Sequence, residues 1–251
     1  MIVDPWFYAV AIPAVVLTGF SKAGFGGAVG GLAVPLMSLA IAPPQAVAVM
    51  LPILLLMDLM GLYAFRGKWD ATLLKLTVPA GLLGTLIGAL TFHYVNERWL
   101  RGLIGVEAVV FALQKFREGS LAWNGPPAPL RPAVARFWST VSGFTSFVSH
   151  AGGPPLMQFL LPLKLDRVLM VATVAWYFAA INAAKWLPYG LLGLIDARNV
   201  STSLVLLPVV PIGYGLGLYV LHRVPQGAFV RLVTWALLLT GLKLCWDAVA
   251  G

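Results

Sequence analysis

Gly19-Phe20-Ser21-Lys22-Ala23-Gly24-Phe25-Gly26-Gly27 lies inside an apolar run, 6–41, yet it cannot be read as one uninterrupted helix. Its glycines weaken helical continuity, and a lysine at membrane depth costs on the order of 3 kcal/mol even on lenient insertion scales. Lys22 therefore needs a water-filled cavity or a partner, and the glycines allow the backbone to turn beside it. A half-helix restarting near Ala28 would aim free N–H groups and the positive end of its dipole at the same point. A cation beside a helix N-terminus makes an anion site. The same glycines would also serve close helix packing, as small residues do in membranes.

A second apolar region, 137–163, is broken by Ser142-Gly143-Phe144-Thr145-Ser146-Phe147-Val148-Ser149-His150-Ala151-Gly152-Gly153-Pro154-Pro155. Hydroxyls and an imidazole precede the break, and Pro154 and Pro155 suit the first turn of a following half-helix. These groups can donate to an oxyanion, and His150 can carry a proton in the physiological range. A histidine that only bonds a neighbouring backbone carbonyl fits the sequence equally well. Neither break resembles a phosphate-binding Gly-Lys-Ser/Thr loop, since no strand precedes it and the spacing differs.

Around these breaks the composition is that of a chain dissolved in lipid: 60% apolar and 10% charged over 251 residues, the reverse of a soluble domain. Runs long enough to span a bilayer lie at about 44–65, 71–92, 99–116, 168–189, 199–221 and 229–248. The solvated stretch 117–136 is too short and proline-rich for a core and reads as a linker. The formal charge of +8 does not imply nucleic acid, because Lys and Arg sit in short loops and form no single basic face. Cys245, the single cysteine, excludes an internal disulfide and a cysteine-based metal cluster. Asp4, with no Lys or Arg before the first apolar run, argues against a cleavable secretory signal.

The two halves repeat. Gly19-Phe20 matches Gly143-Phe144, Tyr63 and Asp70 match Tyr189 and Asp196, and Pro79, Gly84 and Gly88 match Pro208, Gly213 and Gly217. Weak internal symmetry of this kind points to a transporter architecture. Charge decides between parallel and inverted repeats, because cytoplasmic loops collect Lys and Arg. If each broken region crosses once, the basic loop residues divide 8 against 6. If each dips in and returns, Arg66, Lys68, Lys75, Lys115, Arg117, Arg131, Arg136, Lys164, Arg167, Arg223 and Arg231 share one side against Arg98, Arg101 and Arg198, a division of 11 against 3. The expected fold is an all-α integral membrane protein of two inverted repeats, each a re-entrant hairpin plus three transmembrane helices. The first repeat covers 1–116, a cytoplasmic linker 117–136 and the second repeat 137–251, with both termini outside.

Other polar groups fall within the spans. Asp58 and Glu107 are candidate proton carriers, and each could instead pair with a basic residue or serve a helix end. Asn182 and Lys185 share a face; Lys185 is near enough to the end of its run to snorkel, which makes Asn182 the better cavity residue. Lys243 and Asp247 read as a surface ion pair. No zincin-type motif, nucleophile elbow or His–carboxylate cluster is present, so no enzyme activity, metal or cofactor is expected.

The run Gly24 to Gly31 followed by Pro35-Leu36, the Gly152-Gly153-Pro154 motif, and the paired loops Tyr63, Gly67 to Asp70 and Tyr189, Gly193 to Asp196 resemble the sulfite exporter TauE/SafE family of bacterial and archaeal membrane proteins. The resemblance implies secondary transport of small sulfur oxyanions or organosulfonates, such as sulfite or sulfoacetate, across the cytoplasmic (inner) membrane. An anion site is expected from Lys22, Gly24, Gly26, Gly27, Ser149, His150, Gly152, Gly153 and Asn182. His150, Asp58 and Glu107 are the candidates for proton coupling. An anion channel, or a membrane-embedded enzyme or assembly factor, is the alternative.

Overall fold

The computed structural model describes residues 1–27, 31–92, 94, 96–118, 126–221 and 227–250, excepting the side chains of Glu97, Glu118, 227–233 and Ala236. Ala28 and Gly30 of the first break, Arg223, the Arg231 side chain and part of the linker fall outside the described residues. The helices are α1 (Pro5–Phe25), α2 (Ala33–Met37), α3 (Pro43–Ala64), α4 (Ala71–Phe92), α5 (Glu97–Glu118), α6 (Pro132–Ser149), α7 (Gly153–Leu160), α8 (Arg167–Leu191), α9 (Ala197–Leu206), α10 (Val210–Leu221) and α11 (Gly227–Ala250). Among the described residues there is no strand.

Aspartates set where several of these helices start. The side chains of Asp4, Asp70, Asp166 and Asp196 accept hydrogen bonds from the first-turn N–H groups of α1, α4, α8 and α9, groups that have no partner within the helix. The repeated Gly-x-x-Asp loops are thereby explained. Gly67 (φ +73°) and Gly193 (φ +69°) take the left-handed turn, and the aspartate three residues on caps the next helix. The expected run 199–221 is two helices, because Pro208 has no N–H to continue the first and a 3-10 turn, Leu207–Val209, joins them.

Among the described residues, five segments are long and apolar enough to cross a membrane: α1, α3, α4, α8 and the continuous Ala197–Leu221. α5, with Arg101, Glu107 and Lys115 along it, is as long as α3 but more polar. α1 alone has 21 residues, about 31 Å at 1.5 Å each, so the first arm of the broken region is a full-length helix. The interior is apolar, as in a soluble protein, but so is much of the surface. Leu82, Leu83, Leu86, Ile87 and Leu90 of α4 are exposed, while Thr77, Thr85, Ser139, Ser142, Thr202 and Ser203 are buried. Lipid, not water, fits such a surface.

Close contacts give the helix directions. α1 and α10 run parallel, with Val16 at Gly213 and Phe20 at Gly217. α4 and α6 also run parallel, with Gly84 between Thr140 and Phe144 and Gly88 at Phe147. At this crossing a Cβ on Gly84 would stand 1.9 Å from the Thr140 carbonyl oxygen, so only glycine admits it. α3 and α8 are antiparallel, pairing Asp58 with Asn182 and Gly61 with Ala175. α5 and α11 are antiparallel too, pairing Arg98 with Ala248 and Phe116 with Trp235.

α1 and α3 point the same way, since Ile2 bonds Thr202, Ser203 bonds Val49, and Lys22 meets Asp58. α6 and α8 also point the same way, from Ser139–Tyr177 to Ser146–Lys185 and Phe147–Tyr189. Each break thus lies between two helices that point the same way.

Candidate functional site

The two breaks share one backbone device. α1 ends in Gly26 at φ +59° and α6 ends in His150 at φ +54°, both left-handed C-caps, and they occupy matching places in the repeat. Glycine takes this conformation freely, whereas an L-residue gives up on the order of 1 kcal/mol. His150 is held there by its ring, whose Nε2–H donates to the Val47 carbonyl oxygen at 2.9 Å. Beyond the caps the breaks touch. A Cβ on Gly153 would lie 2.0 Å from the Gly27 carbonyl oxygen, and one on Gly31 would lie 2.6 Å from the Ala151 Cβ.

Behind this contact runs a buried polar chain. Lys22 Nζ on α1 meets one oxygen of Asp58 on α3 at 2.5 Å. The other oxygen accepts from Asn182 Nδ2 on α8 at 2.6 Å. Asn182 Oδ1 in turn accepts from Lys185 Nζ at 2.9 Å. Lys185 also reaches the Ser146 carbonyl oxygen (2.6 Å), the Ser146 hydroxyl (2.7 Å) and His150 Nδ1 (3.0 Å). A carbonyl only accepts, so the ring donates from Nε2 to Val47, and with Lys185 at Nδ1 both ring nitrogens are engaged. A second proton on it would require Lys185 to turn away.

The charges in this chain do not cancel: two lysines face a single carboxylate. Asp58 and Asn182 are each 2% exposed and Lys185 is 0% exposed, so any positive charge left over here would have no bulk water to screen it. A cavity of about 30 Å³ opens beside it, lined by Lys22, Gly27, Ser146, His150, Gly153 and Asn182 among others. That is room for roughly two waters at 10–15 Å³ each. No His/Cys/Asp/Glu cluster suited to a metal occurs among the described residues.

The expected site residues therefore separate. Lys22, Gly27, His150, Gly153 and Asn182 come together at the cavity. Gly26 supplies the first cap. Gly24 packs within α1 against Gly217, and Gly152 packs against Ser142 and Ser146, as the helix-packing reading of the glycines anticipates. Ser149 faces the other way: its hydroxyl donates to Glu107 Oε2 at 2.7 Å, beside a larger cavity of about 180 Å³. Asp58 pairs with Lys22 and Asn182, and Lys243 pairs with Asp247 at the surface.

Two readings need correction. Lys185 does not snorkel; it is fully buried, because α8 continues to Leu191 and Ser146 and His150 receive its ammonium. The signal that could have found it is its shared face with Asn182. The half-helix after the first break is α2, which begins at Ala33 and has only five residues, too few to carry a useful end charge. The second half-helix, α7, does begin with Gly153 and prolines in its first turn as expected.

No curated protein and no solved structure matches the chain. The family model for the sulfite exporter TauE/SafE matches residues 11–244, a stretch that includes both breaks, both capped Gly-x-x-Asp loops and every residue of the buried polar chain. This multi-pass membrane protein thus belongs to the TauE/SafE sulfite exporter family, a family of transporters and not of enzymes.

Proposed function

We propose that the chain exports a small sulfur oxyanion, sulfite or an organosulfonate, across a bacterial or archaeal cytoplasmic membrane, and that the anion binds where the two breaks meet. The observation that carries this reading is the buried excess of two lysines over one aspartate beside that contact. A bound anion would neutralise it, with donors from Lys22, Lys185 and Asn182. Room for only a water or two corresponds to a closed state of the cycle, so the anion enters when one repeat rocks against the other.

Inverted repeats support that motion. The helices that pair with their own counterparts, α3 with α8 and α5 with α11, are antiparallel, as a twofold axis perpendicular to the helices requires. The pairs α1–α10 and α6–α4 are equivalent under the same operation, and both are parallel. Each break would then be the tip of a re-entrant hairpin, entering from opposite faces, with the 11 basic loop residues on the cytoplasmic side.

Counterflow of labelled sulfite and of a fully ionised sulfonate in liposomes tests the proposal. Saturable exchange that Lys22→Gln and Lys185→Gln each reduce at least about tenfold, the equivalent of 1.4 kcal/mol, is expected. Non-saturating flux would mean a channel, and undiminished exchange in both variants would place the anion elsewhere.

A further inference from the structure

Glu107 lies midway along α5, an ionisable side chain on an otherwise largely apolar cavity wall, and such a group inside a membrane protein marks function by default. Its hydrogen-bond partner is the Ser149 hydroxyl. The cavity it lines is walled largely by apolar side chains, including Ile104, Phe111, Trp138 and Leu237, with Gln114 and Gln158 as further polar groups. About 180 Å³ is well above the roughly 10–15 Å³ that admits a water, so the cavity has room for water beside the carboxyl group.

The other titratable groups at this depth are already committed. Asp58 has a lysine on one oxygen and an amide on the other, and His150 has both ring nitrogens engaged. No neighbouring element offers Glu107 a counter-ion among the described residues. α2 and α7 carry no titratable side chain, and α3 contributes Asp58. α6 brings Arg136 in its first turns and His150 at its end. Within α5, Arg101 donates to the Ser38 carbonyl oxygen and Lys115 lies over the Phe111 ring. On α11, Lys243 is paired with Asp247, and Cys245 lies against Gly105.

Glu107 is also placed to be felt at the anion site. Ser149 can give its single proton either to Glu107 or to the Thr145 carbonyl oxygen, 3.0 Å away, and it immediately precedes His150, on which Lys185 rests. Gly31 lines both cavities. A carboxylate across so thin a wall repels an anion, and protonating it removes the repulsion.

We propose that Glu107 is the proton-binding site of the transport cycle, taking a proton from cavity water when the anion binds and returning it when the anion leaves. This rests on the transporter reading above. A carboxyl O–H bond forms and breaks, and nothing is oxidised or reduced. By reciprocity, protonation and anion binding strengthen each other equally, so anion affinity falls as pH rises, by up to about tenfold per unit where one proton is taken up.

Two measurements test this. In proteoliposomes, a gradient of a fully ionised sulfonate should move protons, read with an enclosed pH dye. Glu107→Gln should move none and exchange labelled sulfonate at a rate no longer sensitive to pH, while Glu107→Asp should restore part of both. Infrared difference spectra of the purified protein should show a carboxyl C=O band that appears on acidification, is lost in Glu107→Gln and persists in Asp58→Asn. That band reports the site whether or not transport is observed. Proton movement that survives Glu107→Gln, sodium movement in place of protons, or a band that vanishes with Asp58→Asn instead would each overturn the assignment. Absence of sulfonate exchange in the unaltered protein would instead sink the transporter reading.

Discussion

The two breaks solve the same backbone problem with different residues. In the first, glycine occupies the left-handed cap and the cation, Lys22, stands on α1 against Asp58 of α3. In the second, His150 occupies the cap, Ser146 stands at the position that matches Lys22, and the cation arrives from α8 as Lys185. The first break is therefore free of strain and contributes shape, while the second accepts strain in order to place an imidazole against a buried ammonium. Left-handed non-glycine residues persist where the surroundings over-determine them, a condition met here by three named contacts, Val47, Lys185 and Ser146.

The largest expected effect comes from removing the charge the two halves share. Asp58→Ala leaves two buried lysines without a carboxylate and should cost about 3–5 kcal/mol, read as a fall in melting temperature in detergent together with loss of exchange. The double variant Lys22→Met with Asp58→Leu should recover most of that stability and none of the transport. Full melting stability in Asp58→Ala alone would show that the pair is not held as described.

Contact between the breaks is tested next by Gly153→Ala. The added methyl meets the Gly27 carbonyl oxygen, and overpacking of this kind costs about 1–3 kcal/mol. Exchange should drop with it. Wild-type exchange from Gly153→Ala would mean that the two tips need not touch during the cycle.

A smaller effect separates the caps. Gly26→Ala places a Cβ at positive φ with Met157 close by and should cost about 1 kcal/mol. His150→Gly relieves the backbone but loses the bond to Val47, so its stability should stay within about 1 kcal/mol of the parent while exchange falls further than in Gly26→Ala. The reverse order of activities would make the imidazole dispensable.

The smallest effect is expected from His150→Asn, which tolerates the left-handed cap and cannot titrate. If Glu107 carries the proton, anion affinity in this variant should keep the pH slope of the parent even where its absolute value changes. A flattened slope would return the coupling role to His150.

Much of the fold could be read from the chain. Span limits such as 71–92 coincide with α4, and the breaks fall where glycine, proline and buried polar residues cluster, because helix formation and lipid solvation depend on local composition over some 20 residues. The repeated aspartates were visible as a pattern and turned out to be caps. Lys22 was legible as a residue in need of a partner, because a cation inside an apolar run has no local explanation, and Asp58 is that partner.

What the sequence determined by itself is a set of lipid-solvated helices and two interruptions, since each follows from neighbours along the chain. Only the tertiary structure decided the pairings: Lys22 with Asp58, Asp58 with Asn182 from the other repeat, Lys185 with Ser146 and His150, and Ser149 with Glu107. These depend on the rotation and register of helices far apart in sequence, which leave no periodic trace. The same holds for the opposite fates of Ser149 and His150, adjacent residues that face different cavities because a left-handed cap turns the chain between them.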